Sequence, residues 1–165
     1  DKENNICDRQ EKIGTEMYLN MRATFWIKAF SFNPGSNEYK IFRYNKELYY
    51  FILCLLNSSL FWLYWTIISD CWHITTKELK HFRLPKELVD NRIYTKLYKK
   101  LEGELERTKK YIGSKQTNYE YKHKLCKDVI DKIDDYIGKE YNLNQEEIEY
   151  CKNFALKYRV SEEKK

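Results

Sequence analysis

The stretch KELYYFILCLLNSSLFWLYWTIIS, residues 46–69, is the most apolar part of the chain, and its reading decides the fold. It is about as long as a bilayer-spanning helix. A span, however, would bury Asn57, Ser58 and Ser59 at the greatest depth, and its rings would gather at two interfaces instead of being scattered along it. Two core helices meeting at the polar triplet account for both features, with Ser58 or Ser59 capping the second.

Upstream, rings and β-branched residues over Arg22 to Phe32 predict a strand, which the turn Asn33-Pro34-Gly35-Ser36 closes. A second strand over Glu38 to Tyr44 would complete a hairpin. Residues 1–20 are polar with sparse apolar positions and read as a connecting segment. Downstream, Cys71 to Thr75 is short and β-rich. Thr75-Thr76-Lys77-Glu78 has capping-box spacing for a short helix over Lys77 to His81. Phe82-Arg83-Leu84-Pro85 is extended, because the residue before a proline avoids the α region.

Val89, Ile93, Leu97, Leu101 and Leu105 recur every four residues and predict one long amphipathic helix from Lys86 to Ile112, ended by Gly113-Ser114. Leu125, Val129, Ile133 and Ile137 mark a further helix over Tyr121 to Ile137, with Gly138 as its C-cap. A second capping box, Asn144 to Glu147, opens the last helix, whose stripe is Ile148, Cys151, Ala155 and Leu156. The expected fold class is α+β. A small sheet, from the strands before residue 46 and around 72–84, is covered by helices and followed by a helical C-terminal part.

With 165 residues the chain can bury roughly 70% of its unfolded surface, enough for a true core. Its 42% hydrophobic content, with five Gly and two Pro, excludes collagen-like, linker and disordered classes. The net charge of +5 favours a polyanion without reaching a histone-like balance, and the 16% aromatic content suits stacking on bases or on partners. The five cysteines form no C-x-x-C pair, so neither a disulfide framework nor a zinc ribbon is legible, and a reduced, cytoplasmic setting is the default. The start at Asp1, without a signal pattern, reads as a piece of a larger protein.

Four constellations could carry chemistry. Asn33-Pro34-Gly35-Ser36 has the outline of the N-P-P-Y loop of adenine amino-methyltransferases, but the second proline and the base-stacking ring are missing, so a turn is the better reading. The glycine-rich loop of a nucleotide cofactor site is also missing. Asp70, Glu78 and Lys80 have the order of a Mg²⁺ nuclease, yet the capping box claims Glu78. Cys71, His73 and His81 lack a fourth zinc ligand, and Cys71 reads as a core residue. Lys77, Lys80, His81 and Arg83, with Trp72 and His73 just upstream, form a basic and aromatic cluster that is either a solvated face or a nucleic-acid surface.

In their order, FWIKAF near residue 25, LLNSSLFWLYW at Leu55 to Trp65, SDCWHITTKELKHFRLP at Ser69 to Pro85 and the tail KLCKDVIDKIDDYIGKEYNLNQEEIEYCKNFALKYR resemble one family. It is the C-terminal target-recognition region of TaqI-like adenine-specific DNA methyltransferases and of fused type IIG restriction–modification enzymes. The resemblance covers roughly residues 22–160. It implies a linker over 1–20, a DNA target-recognition domain with the long helix over 21–112, and a helical support region over 113–165. It also implies that this chain is not catalytic alone. Its partners would be double-stranded DNA and the methyltransferase domain of the same polypeptide, which would carry S-adenosylmethionine, with no membrane and no metal.

The expected DNA-binding residues are Lys28, Asn37, Lys40, Trp72, His73, Thr75, Thr76, Lys77, Lys80 and Arg83. Acidic residues over 119–150 are expected to keep DNA away from the C-terminal helices. The alternatives are a small metal-dependent nuclease and an α-helical protein-interaction domain.

Overall fold

Lys46–Ser69 folds as two helices, α1 (Lys46–Asn57) and α2 (Ser59–Ile68), that bend by 65° at Ser58. The bend follows from capping: the Ser58 hydroxyl accepts the Phe61 N–H at 3.2 Å, and Asn45 caps α1 through the Leu48 N–H at 3.0 Å. Among the described residues, 2–88 and 90–161 of a computed structural model, no single helix is long and apolar enough to cross a membrane. Nearly all of α1 is buried in the protein's own core.

The architecture is α+β. A three-stranded antiparallel sheet comprises β1 (Thr15–Asn20), β2 (Ala29–Phe30) and β3 (Tyr39–Tyr44), in the order β2-β1-β3. The central strand thus comes from the segment expected to be a connector. Met17 and Leu19 alternate with Glu16 and Tyr18, and both are 0% exposed, as is Ile6, whose carbonyl accepts the Tyr44 hydroxyl at 2.6 Å. The expected hairpin between residues 22–32 and 38–44 does not form, because both partners pair with β1 (Tyr18 with Phe30 and with Ile41). Residues 72–84 add no strand and contribute two isolated bridges, Arg22 with His73 and Asn5 with Arg83.

A short helix α3 (Thr76–His81) follows, with its capping box formed. The long helix α4 is shorter than expected, Asn91–Thr108, because Asp90 caps it through the Arg92 N–H at 2.9 Å. Leu97, Leu101 and Leu105 are buried together with Tyr94 and Tyr98, Ile93 is half-buried, and Val89 lies outside the described residues. Gly113 and Ser114 do not end the helix. They sit in the connection of a second hairpin, β4 (Lys110–Tyr111) with β5 (Tyr119–Glu120), where Gly113 takes φ +57°.

A 3₁₀ turn over His123–Cys126 leads into α5 (Lys127–Glu140), so Leu125 is 56% exposed instead of joining the buried stripe. Val129, Ile133 and Ile137 are buried, with Ile130 beside them. Gly138 is inside α5, not its cap. The helix ends in a Schellman motif at Asn142 (φ +57°), where Leu143 N–H bonds to Gly138 O at 2.9 Å and Asn142 N–H to Lys139 O at 3.1 Å. α6 (Gln145–Asn153) opens on its capping box and buries Ile148 and Cys151; Ala155 and Leu156 are only partly buried, at the start of the one-turn α7 (Leu156–Arg159). α1 packs on the sheet, α4 and α5, while α2 packs on α5 and α6, so one apolar core runs continuously across residue 113.

Candidate nucleic-acid interface

Residues 70–74 form a tight turn. The Asp70 carboxylate accepts the Trp72 N–H at 2.9 Å and the His73 N–H at 2.7 Å, and its other oxygen meets His73 Nδ1 at 2.8 Å. The His73 backbone and ring bonds, then the Trp72 N–H, pull the Asp70 pKa down to about 2. Cys71 takes φ +59° within this turn and is exposed, contrary to its reading as core. The turn is tied to the 21–23 segment by Ala23 N–H to Trp72 O at 3.0 Å and Ile74 N–H to Met21 O at 2.9 Å. Its backbone being held on both sides, the turn displays Trp72 at 50% exposure.

An open groove of about 320 Å³ runs beside that ring, lined by Arg22, Trp26, Lys28, Glu38 and Trp72. Of the expected residues, the groove brings Lys28 and Trp72 together. Lys28 is less available than a surface lysine, since its ammonium donates to Tyr121 O at 2.8 Å and burial lowers its pKa. The α3 residues Thr76, Lys77 and Lys80 are exposed, as are Thr75 and Arg83 on either side; the Thr75 hydroxyl is engaged by Glu78, and Arg83 pairs with Glu3 at 3.4 Å. Lys40 is exposed on β3 and does not line the groove. Asn37 stands apart, its N–H donating to Gln116 O at 3.3 Å beside the second hairpin.

The nuclease and zinc sets do not assemble. Asp70 is occupied by its turn and Glu78 is buried in the capping box, its carboxylate accepting the Thr75 N–H at 3.0 Å. Among the described residues no group of three or more His, Cys, Asp or Glu is placed to hold a metal ion, the Cys71, His73 and His81 set included.

Several groove-forming residues were missed. Arg22 and Trp26 line it directly. Arg159 backs it from 133 residues away, its guanidinium 3.9 Å from the Trp26 ring and 4.3 Å from the Trp62 ring, donating to Phe25 O at 2.9 Å and to Ser59 Oγ at 3.3 Å. Burial brings its pKa down to about 10. The Ser59 N–H in turn donates to Asp134 at 2.7 Å, and burial raises that carboxyl to about 7. Asn57, the first residue of the triplet, accepts from His123 Nε2 at 2.8 Å and donates to Ala29 O at 2.9 Å. The polar triplet is thus the hub of a buried network supporting the 24–29 wall of the groove. The signal was present in the closing Tyr158-Arg159 pair and in a triplet too polar for its surroundings.

Comparison of the chain with family models, with characterised proteins and with solved structures finds no match.

Proposed function

We propose that the chain is a sequence-specific duplex-DNA recognition module of an adenine-specific DNA methyltransferase or a restriction–modification enzyme, and that it does no chemistry by itself. The observation that carries this reading is the half-exposed Trp72 on a doubly tethered turn, at the edge of a groove with Arg22 and Lys28 and followed by exposed Lys77, Lys80 and Arg83. A ring and long cations on rigid backbone suit a nucleic acid, cations for phosphates and a ring for a base or sugar.

In this reading the methyltransferase domain of the same polypeptide is the protein partner and carries S-adenosylmethionine.

The test is the triple variant Lys77→Ala, Lys80→Ala, Arg83→Ala. It should weaken duplex binding by about 1–3 kcal/mol with an unchanged circular dichroism spectrum. Normal binding by that variant contradicts the reading, as would methyl incorporation from S-adenosylmethionine by this chain alone.

A further inference from the structure

Residues 119–150 hold nine acidic residues, seven of which were expected from the sequence to repel phosphate, among them Asp131, Asp134, Asp135 and Glu149. In the folded chain these carboxylates are already engaged. Asp134 is buried, Asp131 pairs with Lys127, and both Asp135 (2.7 Å) and Glu149 (3.2 Å) pair with Lys152. Glu104 on α4 is likewise held by Arg107 at 2.6 Å.

The groove between these helices has a cationic balance. An open groove of about 850 Å³ between α4, α5 and α6 is lined by Lys96, Lys100, Lys132 and Lys139, all exposed, and by Lys152 with its paired Asp135 and Glu149; among the described residues none of the four exposed lysines has a carboxylate in ion-pair distance. Lys96 and Lys100 are one turn apart on one face of α4, and Lys132 and Lys139 two turns apart on one face of α5. Lys100 lies so close to Lys132 that this neighbour lowers its pKa, an arrangement that costs free energy until an anion enters between the two ammonium groups. Tyr141, two residues beyond Lys139, donates its hydroxyl to Arg83 O at 2.9 Å, so the end of α5 abuts the segment carrying Arg83.

We propose that Lys96, Lys100, Lys132 and Lys139 form a second phosphodiester-binding surface, which takes the backbone of the same DNA beyond the Trp72 groove. The ligand rests on the duplex-DNA reading; the anion site itself does not. Phosphates along a strand present successive single charges, and two lysine pairs facing each other across an open groove match such a string better than one compact anion.

The experiment compares the parent chain with Lys96→Gln, Lys100→Gln, Lys132→Gln, Lys139→Gln on a 20-base-pair duplex across a salt series, with circular dichroism as the fold control. In parallel, the Lys100 side-chain titration is followed by NMR with and without tripolyphosphate. The expected result is a loss of roughly tenfold or more in affinity, a salt slope about half that of the parent, and a Lys100 pKa that rises when tripolyphosphate is bound. A parent that binds DNA and a variant with an unchanged slope overturn this surface and leave the recognition reading standing. A parent that ignores DNA while tripolyphosphate still moves Lys100 overturns the recognition reading and supports the anion site. Preference for an acidic peptide over the duplex overturns the phosphodiester assignment.

Discussion

Asp134 accepts one backbone N–H from Ser59 in the core, where burial raises its pKa from 3.8 to about 7, Lys127 opposing and Asp131 assisting. A carboxyl raised on folding binds its proton more tightly in the native state, so its contribution is greatest below the unfolded pKa and is lost as pH climbs through the folded one. The parent chain should therefore lose stability between about pH 4 and 7, by on the order of 4 kcal/mol from this group, and Asp134→Asn should flatten that slope. Denaturant melts at a series of pH values check this, and an equally steep Asn variant would contradict it. Gly138 is a second residue-scale constraint, since a Cβ there would lie 2.5 Å from Ile148 Cγ1. Gly138→Ala should cost about 1–3 kcal/mol in thermal or denaturant unfolding, and Ile148→Ala in the same chain should recover part of that cost. The triplet at 57–59 was legible as a helix junction because caps are local. Its partners His123, Asp134 and Arg159 were not, because they converge only on folding.

Most helices were legible from sequence, since periodicity and caps such as Ser58, Thr75 and Asn144 act within a few residues. β1 was not, because two buried positions, Met17 and Leu19, make a weak alternation in an otherwise polar segment, and only its two partners reveal it as central. Deleting residues 2–20 should therefore abolish cooperative unfolding altogether, whereas a mere connector would leave the melt unchanged. Ile133 and Asp135 make the matching test on α5. Ile133→Asp places a carboxylate at a fully buried position and should cost about 3–5 kcal/mol. Asp135→Ala loses a partly exposed pair to Lys152 and should cost about 0–1 kcal/mol. Equal melting of Ile133→Asp and the parent would show that the α4–α5 seam carries no weight.

Across the whole molecule, one continuous core holds two open basic surfaces, the Trp72 groove with α3 and the lysine groove between α4 and α5. The first was partly legible, since Trp72, Lys77 and Lys80 are neighbours in sequence; Arg22 and Trp26 join it only through the bridge of Arg22 to His73. The second was hidden by a count of charges that could not show which carboxylates were already paired. The central claim is that these surfaces hold duplex DNA, and its most direct measurement is the affinity of the intact chain for a duplex as salt rises from about 50 to 200 mM. The account predicts a log–log slope worth at least three to five phosphates, at about −0.9 each. An affinity that is flat over that range, or no binding at its low-salt end, would contradict it.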